Sequence, residues 1–246
     1  MESKYKKESH SLAVIIPMFN EEIGATRCIQ AVASELGKLK IRNVLIVIDD
    51  GSQDNTHSLL QTAQKKYGKK LIVVTHKKNK GFGGATKSGI KKALELNYEY
   101  CLHMDSDLTN NPRLIHTFVK YQGKFDCVKA SRYTKGGKVK GVSKFRRAVS
   151  ISGNFAASIM FGVGIRDCTN GFRMVRTSCL KNVKLKENNF SIILEELYYL
   201  KKMHCSFKEI PYTLTARTES VSRFNYKPAI FRDYFKYVLK SFLTTS

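Results

Sequence analysis

Residues 44–52 read Val-Leu-Ile-Val-Ile-Asp-Asp-Gly-Ser, five consecutive apolar side chains closed by two acids and two turn formers. A run this short and this apolar, bounded by a turn signal, predicts a strand buried on both faces. Residues 12–17 (LAVIIP) form a second such run, and between the two, apolar residues at Ile23, Ile29, Val32, Leu36 and Leu39 recur on roughly one helical face. The unit is strand, helix, strand. Downstream the alternation continues with a helix over 55–67, a strand over 71–75, a helix over 84–96, a strand over 100–104, a helix over 112–121 and a strand over 126–130. Helices of this length between buried strands imply an α/β fold with a mainly parallel sheet flanked by helices.

Ligands on such sheets bind outside the carboxyl ends of the strands. Those ends carry Pro17-Met18-Phe19-Asn20-Glu21, Asp49-Asp50-Gly51-Ser52 and Asp105-Ser106-Asp107, so polar chemistry gathers on one edge while strand middles are apolar. Two carboxylates one residue apart at a strand end can hold Mg²⁺ or Mn²⁺ through oxygen ligands and so bridge substrate phosphates. The plain alternative is a solvated turn, or an N-cap for the helix that begins near Pro112. Lys80-Gly81-Phe82-Gly83-Gly84 matches neither GxGxxG nor GxxxxGK[ST] and is expected to be a structural turn into a helix.

The chain has 246 residues, 42% hydrophobic and 26% charged, enough for a sizeable core and too apolar for a disordered polymer. Its formal charge of +23 points to a polyanionic partner: nucleic acid, an anionic membrane surface or phosphorylated small molecules. Seven of the cations, with no acid among them, fall in residues 132–147, which read as a basic loop. The six cysteines show no CxxC pair, against a disulfide framework or zinc site, and residues 1–11 are a polar tail without a secretory h-region. A cytoplasmic location, peripheral at the cytosolic membrane face, is expected. Residues 148–165 are free of charge but carry Ser150, Ser152, Asn154 and Ser158, so they predict a buried or interface-lying helix and not a span. Helices over 192–203 and 229–242 and a strand over 207–212 complete the reading.

Individually these motifs are weak; their order and spacing are not. With Ser131-Arg132-Tyr133, residues 167–173 (DCTNGFR), Arg217 and Ser222-Arg223-Phe224, the chain resembles the family 2 inverting glycosyltransferases of GT-A fold, with a Rossmann-like nucleotide-binding half. Within that family it is similar to the dolichol-phosphate mannose synthases and polyprenyl-phosphate sugar transferases. The resemblance implies a GT-A domain over 12–226, and the mix of aromatics and cations after it predicts a basic amphipathic helix over 227–246. It implies that Pro17, Phe19 and Glu21 line the nucleotide, with Asp50 as an acidic base or ribose contact. Asp105 would face donor and metal, Asp107 would be the firmest metal ligand, and Arg132, Arg146, Arg217 and Arg223 would meet donor and acceptor phosphates. Guanidinium forks suit that task.

Three departures stand out. Thr109 replaces a Gln that often serves the metal, Arg223 replaces a Lys, and Phe19 replaces a Tyr. The implied reaction moves a hexose, GDP-mannose being the favoured donor, to a polyprenyl or dolichyl phosphate. Such a phosphate is mostly ionised at neutral pH, with a second pKa of about 6, and needs no protein base. Transfer to a hydroxyl of a glycan, lipid or protein is the alternative; it would need a base, for which Asp167, Glu195 and Glu196 are available, the family's helical Glu matching one of the last two. The six histidines form no visible triad or metal spacing and are expected to be structural or surface residues. Nucleic-acid binding is the remote third class, motivated by charge alone, with no recognised module.

Overall fold

The computed structural model describes residues 10–215 and 228–243; for residues 144–146, 228–231 and 233 it describes the backbone alone. In chain order the first half contains β1 (Ser11–Met18), α1 (Ala25–Gly37), β2 (Arg42–Asp49), α2 (Thr56–Tyr67), β3 (Leu71–Thr75), α3 (Gly81–Glu95), β4 (Tyr100–His103), α4 (Ile115–Val119) and β5 (Cys127–Ser131). The second half contains β6 (Lys138–Lys140), α5 (Lys144–Phe161), β7 (Arg173–Arg176), α6 (Ile192–Lys202), β8 (Phe207–Pro211), β9 (Thr213–Thr215) and α7 (Pro228–Leu243). Seven strands form one sheet in the order β3-β2-β1-β4-β7-β5-β8. β1 pairs in parallel with both β2 and β4, so the strand order reverses beside it.

Side-chain alternation along the strands divides the core. Leu12, Val14 and Ile16 of β1, with Leu45 and Val47 of β2, meet Cys28, Ile29, Val32 and Leu36 of α1 and Phe118 of α4. Ala13 and Ile15, with Val44, Ile46 and Ile48, meet Ala85, Ile90 and Ala93 of α3 on the other face. Both faces of the central strands are covered, which is why they read as unbroken apolar runs. A third cluster joins Phe161 of α5, Leu194 and Leu197 of α6, and Tyr237 and Val238 of α7.

Two features differ from the sequence reading. β7 runs antiparallel to β4 and β5 and lies between them. Its four residues, Arg-Met-Val-Arg, have charge at both ends and none of the length that marks a buried strand. The basic stretch over 132–147 is not wholly loop: β6 pairs with β9, and α5 begins at Lys144, inside that stretch. Cations fill that first turn, where the helix dipole disfavours them, so local chemistry conceals the helix start.

α3 lies so close to β1 that a methyl group on Gly89 would collide with the Ile15 side chain. Gly89→Ala should therefore destabilise the fold by about 1–3 kcal/mol through overpacking, read as a lower denaturant midpoint. An unchanged midpoint would mean that the contact between α3 and β1 is looser than this.

Candidate active site

The edge formed by the carboxyl ends of β1, β2, β3 and β4 flanks the point where strand order reverses, the place where open α/β sheets bind ligands. Three of its loops turn on a left-handed residue: Asn20 (φ 49°) after β1, Gly51 (φ 73°) after β2 and Leu108 (φ 58°) after β4. At Gly51 a Cβ would stand 2.7 Å from the backbone nitrogen of Asn79, so only glycine closes this turn against the chain leaving β3. Leu108 is a branched residue in a conformation such residues avoid, a strain held directly beside Asp107.

A cavity of about 370 Å³ opens between these ends, lined among others by Phe19, Gly51, His57, Thr75, His76 and Lys78. Its acids are built into its frame. Asp49 accepts from the Ser52 amide at 3.0 Å and pairs with His57 Nδ1 at 2.9 Å. Asp50, also buried, pairs with His76 Nδ1 at 2.6 Å and accepts from the Lys80 amide at 2.9 Å, tying β2 to the start of α3. Pro17 sits in β1 opposite Ile48, while Glu21 lies in the turn that leads into α1: its amide donates to Thr56 Oγ1, and its carbonyl accepts from the Gly24 and Ala25 amides. His57, His76 and the 75–79 strand end are cavity residues that sequence reasoning did not single out. The strand-end rule applied to β3 would have found the last of these, His76 included, whereas no spacing identified His57.

The Asp105-Ser106-Asp107 loop is stitched from within. Asn110 Oδ1 accepts the Asp105 amide at 2.8 Å, and its Nδ2 donates to the Tyr212 hydroxyl, which in turn donates to the Thr109 carbonyl. Thr109 donates both its amide and its hydroxyl to Asp107 Oδ1, at 3.0 and 2.7 Å. The residue that stands where the family often has a metal ligand thus orients the neighbouring carboxylate. The cap of the turn at Pro112 is Asn111, which accepts from the Arg113 amide, so neither aspartate is consumed as that cap. Among the described residues no three His, Cys, Asp or Glu side chains gather as a metal-holding group. Two carboxylates alone suit a hard cation that keeps waters and takes its remaining ligands from substrate phosphates.

The other expected site residues have defined places. Arg132, just past β5, forms a two-nitrogen fork with Asp167: Nε donates to Oδ2 at 2.8 Å and Nη2 to Oδ1 at 2.7 Å, with the Arg132 amide adding a third bond. Although burial opposes its charge, the Asp167 carboxylate holds the Arg132 guanidinium firmly protonated. Asp167 is fully buried. Glu195 accepts from the Lys186 and Glu187 amides, and Glu196 takes a fork from buried Arg173 at 2.5 and 2.9 Å. Burial alone would raise the Glu196 pKa; the Arg173 guanidinium holds it below the usual carboxylate range instead. Arg146 lies in the first turn of α5, in the part described by backbone alone, and Arg217 and Arg223 lie outside the described residues.

α5 and α7 pack together and leave an apolar face uncovered. Ala157 and Phe161 of α5 meet Tyr237 and Val238 of α7, while Phe155 (67% exposed) and Ile159 (64%) on α5 and Phe235 (60%) and Leu243 (64%) on α7 stay exposed. Among the described residues no helix is long and apolar enough to cross a membrane.

Comparison with known proteins agrees with this arrangement. The family model described as Glycosyl transferase family 2 matches residues 13–184. The UDP-N-acetylglucosamine–dolichyl-phosphate N-acetylglucosaminyltransferase of Methanococcus voltae is 27% identical over 213 residues, 80% of this chain and 83% of that protein. The dolichol-phosphate mannosyltransferase of Pyrococcus furiosus is 29% identical over 215 residues, 86% of this chain; the match spans 58% of that longer protein. In fold, the chain resembles the glucosyl-3-phosphoglycerate synthase of Mycobacterium tuberculosis in complex with UDP, with a TM-score of 0.69 at 16% identity, covering 96% of this chain and 81% of the other. That enzyme, a GT-A glycosyltransferase, has also been crystallised with Mn²⁺ and UDP-glucose.

Removing one partner of a buried ion pair leaves an uncompensated charge. Asp167→Ala should therefore cost about 3–5 kcal/mol of unfolding free energy, measured by denaturant titration. A loss below about 1 kcal/mol, the range of exposed pairs, would show that Arg132 reaches solvent instead.

Proposed function

The chain belongs to glycosyl transferase family 2 and is a glycosyltransferase, and from that premise we propose that it moves a hexose from a nucleotide sugar to a polyprenyl or dolichyl phosphate, with a divalent cation, at a membrane surface. The fate of the three carboxylates outside the strand-end motifs supports the phosphate acceptor. Asp167, Glu195 and Glu196 are each buried and committed to arginine or to backbone amides. A general base must reach the acceptor and lose its partner on taking a proton; a carboxylate locked in a buried guanidinium fork does neither. An acceptor that arrives ionised removes the requirement.

In this reading Phe19 and the cavity at the ends of β1, β2 and β3 take the base and ribose, and Pro17, Glu21 and Asp50, which are not among its lining residues, are assigned to the nucleotide on the family pattern. Asp105 and Asp107 face the diphosphate and would hold the cation, which when bound neutralises phosphate oxygens. The acceptor oxygen attacks the anomeric carbon as the bond to the diphosphate breaks, and the configuration inverts. Arg132 contributes from a fixed position: Asp167 grips Nε and Nη2, leaving Nη1 as the nitrogen outside the fork. Arg146, Arg217 and Arg223 are assigned to the phosphates on the family pattern. The resemblance to dolichol-phosphate mannose synthases favours GDP-mannose, while a relative is named for UDP-N-acetylglucosamine. Both belong in the assay.

A water-insoluble acceptor requires contact with its bilayer. The exposed apolar side chains of α5 and α7, helices that also carry exposed cations such as Arg147 and Lys240, suit an interface-lying pair of helices that bury apolar side chains among lipid headgroups.

The test is transfer of labelled sugar from a panel of nucleotide sugars to a short polyprenyl phosphate with Mg²⁺ or Mn²⁺. Labelled lipid phosphate is expected from at least one donor, with loss of transfer in chelator and in Asp107→Asn despite an unchanged circular-dichroism spectrum. Wild-type turnover by Asp107→Asn in chelator would overturn the metal assignment. Phe155→Glu should lower co-sedimentation with anionic vesicles several-fold; undiminished binding would move the membrane contact elsewhere.

A further inference from the structure

A row of polar side chains crosses the sheet just beneath the site. Strand register places His103 of β4 opposite Arg173 of β7, Arg173 opposite Lys129 of β5, and Lys129 opposite Glu209 of β8. Their flanking residues, Cys101, Cys127 and Val175, belong to the apolar cluster on the face covered by α6, and Glu196 of α6 supplies the counter-charge to Arg173. Lys129 and Arg173 are each 1% exposed. Two cations in the middle of a sheet are expensive, and burial together with the Arg173 charge lowers the Lys129 pKa.

Three members of the row reach up to one loop. Arg173 Nη1 donates to the Gly171 carbonyl at 2.8 Å, Lys129 Nζ to the Asn170 carbonyl at 2.8 Å, and Glu209 Oε1 accepts from the Arg166 and Asp167 amides, both at 2.9 Å. The loop so held presents both halves of the site. Asp167 clamps Arg132, and Gly171 neighbours Asp105, a Cβ there lying at ordinary contact distance, 4.0 Å, from the Asp105 carboxylate. On the side away from the loop the same face is apolar, with Cys101, Cys127 and Val175.

We propose that Lys129, Arg173 and Glu209 are positioning residues that hold the 166–171 loop from below, setting Arg132 and Asp105 at their working separation. This rests on the reading of Asp105 and Arg132 as parts of the transfer site. Catalysis depends steeply on such placement, a shift of about 1 Å being worth up to about 100-fold in rate. A methionine in place of Lys129 fills similar volume, removes the cost of burying an ammonium and gives up only the hydrogen bond to the Asn170 carbonyl.

The experiment compares wild type with Lys129→Met and Glu209→Ala in melting temperature, donor KM and kcat for sugar transfer. Lys129→Met is expected to melt no lower than wild type yet lose 10-fold or more in kcat, with donor KM changed less than twofold. Glu209→Ala, at the sheet edge, is expected to show the same split and decides the matter should Lys129→Met fail to fold. Folded variants with wild-type kcat would overturn the proposal. A wild-type chain that transfers no sugar from any donor would overturn the reading of the site itself, and the wild-type control tells the two failures apart.

Discussion

The parallel pairing of β1 with β2 on one side and β4 on the other is the constraint from which the site follows. Parallel strands end on the same edge, so the turns after β1, β2 and β4 are brought side by side whatever their sequences. Because the chain steps outward from β1 to β3 and then returns past it to β4, the crevice opens at that reversal. Phe19 and Glu21, Asp49 and Asp50, and Asp105 and Asp107 are separated by some thirty to fifty residues at each step along the chain, yet meet on that edge. Each turn then needs its own local solution: glycine where the β3 loop leaves no room at Gly51, and a strained Leu108 held by the bonds around Asn110 and Thr109.

The first half of the fold was legible because its strands are buried on both faces. Continuous apolar runs such as residues 44–48 report double coverage, and the acids that end them report the edge. The second half hid for physical reasons. β7 carries Arg173 at its start and Arg176 at its end, so it resembles a polar connection until the partners Glu196 and Asp126 are seen across space. The start of α5 was masked by cations in its first turn. Periodicity senses water and oil; it is blind to a buried charge paired with another from a distant helix.

The same blindness separates the site residues that sequence reasoning could name from those it could not. Asp105 and Asp107 follow a strand and fit a motif, while Asp167, Glu195 and Glu196 were visible only as carboxylates of uncertain purpose. Three-dimensional contacts give each a purpose: Asp167 steadies an arginine, Glu195 caps the 186–187 backbone, and Glu196 neutralises Arg173. The cavity histidines gained their meaning likewise, as ring partners of Asp49 and Asp50.

If the site works without a protein base, acceptor ionisation should decide reactivity. The most direct measurement compares two lipids of equal chain length, a polyprenyl phosphate and the corresponding polyprenol, as acceptors for the same nucleotide sugar and the same enzyme. The account predicts rapid transfer to the phosphate and none above background to the alcohol. Comparable rates with both, or transfer to the alcohol alone, would contradict it and require a base among the residues assigned here to structure.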